Sequence, residues 1–289
     1  MDLTKKYQIK KYKEDQIICF NDDVIVETYF YIYHGEKILA RLMCSPSNLE
    51  YLVIGHLYAL DLINSKDDIT DLQIRDNKAY VKLKEEKSPK IKRNKGKFIL
   101  EREKIFALAN EFQNYSLIFK KTGGAHACAI IENYGIMEFF EDVARNNAVD
   151  KLIGYILAKE VDISDKFIFT SCRVSDQIID KILKIDFDLI VSQASPTSVS
   201  IDMAREKNVN LIAFAREQRF NLYNKNENLI IKWGVYGFIR SSKNWSSYKF
   251  ASGPYGKNLL QGKNYLRNDF FSGLYFGRRL DKQRWFAIF

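Results

Sequence analysis

The chain has 289 residues, 46% hydrophobic and 28% charged, with 45 Lys plus Arg against 36 Asp plus Glu for a formal net charge of +9. That composition excludes collagen, coiled coil and wholesale disorder, and the length allows one large domain or two ordinary ones without a disulfide or metal staple. The charge is uneven: residues 1–223 hold 33 basic and 33 acidic side chains, while residues 224–289 hold 12 basic and 3 acidic, so the whole excess lies in the last 66 residues.

From the amino terminus, Met1 to Asn21 mixes Lys5, Lys6, Lys10, Lys11 and Lys13 with Glu14 and Asp15 and has no apolar core before a small-residue cleavage site, so it does not read as a secretory signal. No apolar run of about 18 residues follows, and a cytoplasmic protein without membrane contact is expected. Cys19, Cys44, Cys128 and Cys172 are scattered with no C-x-x-C pair, which argues for free thiols and against a disulfide framework or a metal site. Cys19 and Cys44 lie in strand-like surroundings and are expected in the core.

Val24 to Tyr33 and Lys37 to Cys44 are β-branched and aromatic runs flanking His34-Gly35-Glu36, the pattern of a hairpin. Ser47 and Glu50 have capping-box spacing before a helix whose apolar face is Leu49, Leu52, Val53, Leu57 and Leu60. The segment KSPKIKRNKGK, Lys87 to Lys97, predicts a loop, and Glu101 to Asn114 predicts a helix. From Ala148 to Tyr223 strand and helix alternate. A helix carries Val149, Leu152, Ile153, Ile156 and Leu157, and a buried strand follows at Phe167 to Thr170. Ser175 can cap a helix with Ile178, Ile179, Ile182 and Leu183 inward. Next come strand-like Asp188 to Gln193, a short helix through Met203, and strand-like Asn210 to Ala215. Short crossovers predict three parallel strands in one sheet, whose carboxyl ends gather Ser171-Cys172-Arg173, Ser192 to Ser198 and Arg216 to Arg219. Hydroxyls, helix amino termini and guanidiniums at that edge suit an anionic ligand such as a nucleotide.

Four segments in order resemble the formate dehydrogenase accessory protein family (FdhD): MCSP (Met43 to Pro46) with its helix; Thr122-Gly123-Gly124-Ala125-His126-Ala127; EDVARNNAVDKLIG (Glu141 to Gly154); and SPTS followed by FAREQRFNLY, Phe214 to Tyr223. The resemblance implies an α/β (mixed α+β) fold with a cytidine-deaminase-like three-layer core. With the abrupt composition shift near Asn224, it divides the chain into a hairpin and helix subdomain with a basic loop (residues 1–98), the core with a cofactor site (99–223) and a basic aromatic tail (224–289). It also implies a homodimeric sulfurtransferase-type carrier that passes persulfide sulfur from a cysteine desulfurase to the molybdenum bis(molybdopterin guanine dinucleotide) cofactor for formate dehydrogenase. Phe214, Ala215, Arg216, Glu217, Gln218 and Arg219 match the family's cofactor-binding segment, with Arg216 and Arg219 the expected phosphate contacts.

The family's CGxCG loop is absent, because the corresponding stretch around Lys90 to Lys97 has no cysteine. A persulfide carrier needs a reachable thiolate. Cys128 is the nearest substitute and the expected catalytic residue, with Cys172 beside Arg173 second; each also has a reading as a small core hydrophobe, Cys128 inside the apolar run ACAII. His126 reads as a proton donor near the thiol or as a structural histidine. Glu141 and Asp142 read as an acid and base pair or as carboxylates at the start of the next helix. The absence of P-C-x-x-C and of a Glu at 128 argues against deamination. A cofactor-binding chaperone without sulfur transfer is the alternative, as is nucleic-acid binding through the tail, whose 12 basic residues interleave with 15 aromatics. The tail begins where the resemblance ends and has no clear periodicity, which is also the pattern of an out-of-frame read.

Overall fold

The computed structural model describes residues 2–90 and 96–232. Strands β1 (Thr4–Lys13) and β2 (Gln16–Ile25) form a ten-residue antiparallel ribbon. β3 (Thr28–His34) and β4 (Lys37–Cys44) form the expected hairpin, which turns at Gly35 with φ 58°. Helix α1 (Leu49–Ala59) follows, and β5 (Ile69–Arg75) and β6 (Lys78–Leu83) complete a sheet in the order β4-β3-β6-β5. β7 (Phe98–Glu101) leads into α2 (Arg102–Tyr115) and the short α3 (Leu117–Thr122). Next are β8 (His126–Glu132), β9 (Gly135–Asp142), α4 (Arg145–Ala158), β10 (Phe167–Thr170) and α5 (Asp176–Lys184). The described chain ends with β11 (Leu189–Ser192), α6 (Ser198–Glu206), β12 (Asn210–Arg216), β13 (Arg219–Asn224) and β14 (Leu229–Lys232).

The main sheet runs β13-β12-β11-β10-β8-β9, and β10, β11 and β12 are parallel as the alternating pattern predicts. Side chains alternate across it. Cys128, Ile130, Ile168, Ile190 and Leu211 join a core with Ile153 of α4 and Ile178 of α5. Ala127, Ala129, Phe169, Val191 and Ile212 join a second core with Leu108 and Phe112 of α2 and with Leu100 and Leu229 of the parallel pair β7–β14. Helices on both faces make the chain a mixed α/β protein with a three-layer arrangement around the main sheet.

The first core also contains Phe30 and Ile32 of β3 and Leu52 of α1, so it crosses the expected division at residue 98. The described structure continues through β14, beyond the expected boundary at 223/224. The remaining tail, residues 233–289, lies outside the described residues, as do 91–95 of the basic loop.

Several local expectations are corrected. The N-cap of α1 is Asn48 at φ 51° with no side-chain cap bond; Ser47 Oγ lies 3.3 Å from Lys151 Nζ and accepts from it, so the Ser47–Glu50 capping box does not form. Leu60 is 47% exposed because it follows the last turn of α1. Ser175 stands at the N-cap of α5 without accepting a cap bond, whereas Thr197 and Ser200 form a capping box at α6. Cys19 is exposed rather than core, because it lies on the solvated β1–β2 ribbon. No helix among the described residues is long and apolar enough to cross a membrane.

Candidate functional site

The carboxyl ends of β10, β11 and β12 open onto a cavity of about 540 Å³ whose wall includes Gly123, Gly124, His126, Ser171, Ala194 and Arg216. Phe119 supplies exposed aromatic surface on the α3 side, and Phe112 backs the wall from the second core. Open α/β sheets bind ligands at this place.

Arg216 reaches the cavity because the β12–β13 ladder is irregular between Ala213 and Arg216. Phe214 and Glu217 have φ 54° and 56°, a left-handed conformation that costs a non-glycine residue roughly 1–2 kcal/mol. Phe214 N donates to Ala194 O at 3.2 Å, tying the bulge to the loop after β11. The Arg216 guanidinium lies 5.9 Å from the Phe214 ring centroid, and Arg216 pairs with no carboxylate among the described residues. Ala215 is buried in the second core and Phe214 is half-buried. Glu217, Gln218 and Arg219 are exposed at the hairpin turn, and Arg219 is not part of the cavity wall. Of the six expected cofactor-binding residues, Arg216 alone lines the cavity.

The TGG segment forms the opposite lip. Gly123 ends α3 at φ 66°, its N–H donating to Phe119 O at 2.7 Å, and Thr122 Oγ1 accepts from Gly124 N at 3.0 Å. Next to it His126 is half-buried. Burial, then the charges of Arg145 and Arg173, push its pKa below the ordinary histidine value against the opposing pull of Asp142, which favours the neutral ring at pH 7.

Cys128, the expected catalytic thiol, faces the α4–α5 side of the sheet and is fully buried. Burial, with Cys172 adding to it, raises the thiol well above its usual range against a hydrogen bond from Thr170. Cys172 is also fully buried and its pKa is pushed up to about 11 by burial. The cavity is lined instead by their neighbours Ala127 and Ser171. Cys44 is buried too, its pKa pushed up to about 12 by burial and Asp142. Thiolates are the nucleophiles, and none of these three thiols is presented to the cavity in this conformation.

The EDVARNNAVDK segment, Glu141 to Lys151, runs from the end of β9 into α4. Lys151 and Asp142 have fully buried side chains and are paired at 2.7 Å. Asp142 also accepts from Ser45 N at 3.1 Å, Ala144 N at 2.9 Å and Asn147 Nδ2 at 3.1 Å. Lys151 also donates to Ser45 O at 3.3 Å and Glu141 O at 3.1 Å. Glu141 turns the other way, accepting from Ser116 Oγ and from the backbone N–H groups of Ile118 and Phe119 at the start of α3. The two carboxylates therefore serve different elements; only Asp142 lies at the start of α4. Asp150 accepts from Lys181 at 2.6 Å and is paired with His56 Nδ1 at 2.9 Å, fastening α4 to α5 and α1. Lys151 and Arg145 carry no signal in the sequence, because a Lys or Arg inside an amphipathic helix pattern ordinarily faces water. Among the described residues no three His, Cys, Asp or Glu side chains are grouped to hold a metal ion.

The sheet order and the Arg-bearing cavity at its carboxyl edge define an α/β protein with an anion-suited ligand site. The chain belongs to the FdhD/NarQ family, whose model matches residues 25–99 and 86–230. It is 29% identical over 257 residues to the sulfur carrier protein FdhD of Staphylococcus haemolyticus, covering 79% of this chain and 97% of that one. It is 26% identical over 258 residues to the sulfur carrier protein FdhD of Staphylococcus aureus strain MRSA252, with the same shares. A crystal structure from Desulfotalea psychrophila, described as that of a formate dehydrogenase accessory protein, superposes with a TM-score of 0.70 at 22% identity, covering 79% of this chain and 100% of that one. That likeness establishes the shared fold.

Proposed function

We propose that this protein is an accessory factor for formate dehydrogenase that takes the guanine-dinucleotide form of the molybdenum cofactor as cargo, seating its anionic and aromatic parts in the cavity. The supporting observation is Arg216, an exposed cation without a carboxylate partner among the described residues, held at the cavity wall by a strained bulge. A guanidinium suits a diphosphate, and the exposed Phe119 at the cavity wall offers a face to a planar base. GDP is expected to raise the melting temperature, Arg216→Ala to weaken binding by roughly tenfold, and Arg219→Ala to leave it nearly unchanged. Equal loss from both substitutions would place the contact on the hairpin turn instead.

Sulfur carriage is the second reading, favoured by the names of the relatives. In it a homodimer accepts persulfide sulfur from a cysteine desulfurase and delivers it to the same cargo. Cys128 and Cys172 lie directly behind cavity-wall residues, so either could serve once a local opening exposed it. The two readings separate in a host lacking its own such factor. A chain with all four cysteines changed to Ser is expected to sustain formate dehydrogenase activity if binding is the whole role. Complete loss, reproduced by Cys128→Ser or Cys172→Ser alone, would establish carriage and identify the thiol.

A further inference from the structure

His126, Arg145 and Arg173 stand together at the ends of three neighbouring strands. β8 begins at His126, whose partner on β9 is Asp142, and Arg145 opens α4 just beyond. On the other side Ala127 N donates to Ser171 Oγ at 2.9 Å, shortly before Arg173. Helices α4 and α5, of 14 and 9 residues, begin side by side, with Asn146 Nδ2 donating to Gln177 Oε1 at 3.0 Å across the gap. Neither start has a side-chain cap bond, which leaves N–H groups and a partial positive charge at both.

An independent feature points the same way. Among the described residues, Arg145 Nε and Ser175 Oγ are buried donors without a hydrogen-bond partner, and Asn146 Oδ1 is an acceptor without one; such atoms are ordinarily satisfied. Arg145 and Arg173 pair with no carboxylate among the described residues. Asp142 is engaged by Lys151, and Asp176 in the first turn of α5 is exposed.

We propose that this cluster is a phosphoryl-binding subsite at the edge of the cavity, in which Arg145 and Arg173 clasp the group beside His126 and the starts of α4 and α5 supply further donors. It deepens the reading of the cavity as an anionic-ligand site. Its centre is set apart from Arg216: β8, which begins at His126, lies three strands from β12 in the sheet, roughly 14 Å at the usual spacing, and β10, which precedes Arg173, lies two strands from it.

The test titrates the full chain with inorganic phosphate, GDP and guanosine, following the His126 imidazole by NMR and affinity by calorimetry. Phosphate is expected to shift the His126 resonances and raise its pKa, and Arg145→Ala or Arg173→Ala to weaken phosphate binding roughly tenfold or more. Arg173 is exposed, so its variant leaves the core intact, and Arg145→Lys should restore part of the effect. If the variants also weaken GDP but not guanosine, the subsite holds a phosphate of the ligand; if they weaken inorganic phosphate alone, it holds a free anion. Unchanged phosphate affinity in both Ala variants, or an unmoved His126, overturns the subsite even where Arg216→Ala abolishes GDP binding. Phosphate binding without any GDP binding sustains the subsite and overturns the cargo reading.

Discussion

Replacing Lys151 by Met is expected to destabilise the protein by about 3–5 kcal/mol, because it strips the counter-charge from a fully buried carboxylate. Lys151 and Asp142 are both fully buried and 2.7 Å apart. Met keeps most of the aliphatic stem, so the loss is electrostatic rather than volumetric. Ser45 N, Ala144 N and Asn147 Nδ2 continue to donate to Asp142, which limits the loss without cancelling it. The double variant Asp142→Asn with Lys151→Met should recover a substantial part, since a neutral amide tolerates the site better than an orphaned charge. Denaturant unfolding of the four proteins in this cycle gives the coupling directly. A Lys151→Met loss below about 1 kcal/mol would mean that the pair contributes little and that water reaches Asp142.

That network gives the Glu141 to Lys151 segment a mechanical meaning. Asn147 Nδ2 donates to Met43 O at 2.7 Å, and Val143 N donates to Ser45 Oγ at 3.0 Å. The loop after β4 and the start of α4 are therefore one polar unit, with the cluster of Arg145 and His126 beside it. The MCSP and EDVARNNAVDK strings lie about a hundred residues apart and meet here. A substitution in either is expected to disturb the other before it touches a ligand.

What the sequence made legible was the part ruled by local periodicity. Phe167 to Thr170, Asp188 to Gln193 and Asn210 to Ala215 are short apolar runs between amphipathic helices, and they became three parallel strands with Arg216 at their carboxyl edge. The β1–β2 ribbon was not legible. Its strands mix Lys with Tyr and Ile and bury little, with Tyr12 74% and Ile17 60% exposed, so no alternation of inside and outside marks them. β7 and β14 were hidden for another reason: each is four residues long, and they pair across more than a hundred positions. The facing of Cys128 also depended on register. Adjacent strand residues point to opposite faces, so the cavity received Ala127 and the core received its neighbour.

Gly55→Ala and Gly154→Ala are each expected to cost about 3 kcal/mol or more, or to prevent folding, because the two glycines let the backbones of α1 and α4 touch. A Cβ on Gly55 would sit 1.8 Å from Asp150 O, and one on Gly154 would sit 1.8 Å from Tyr51 O. The obstacle in each case is the main chain of the facing helix, which cannot rotate aside as a side chain would. Relief requires the helices to separate, and separation pulls Leu52 and Ile153 out of shared packing while stretching His56 from Asp150. Overpacking of a close-packed core is penalised in this way even by a single methyl group. In exposed helix an Ala would instead help by about 1 kcal/mol, so the sign of the change is diagnostic. Thermal and denaturant unfolding of either variant decides it: a stability equal to or above that of the parent chain would mean that α1 and α4 cross less closely than the 1.8 Å approach requires.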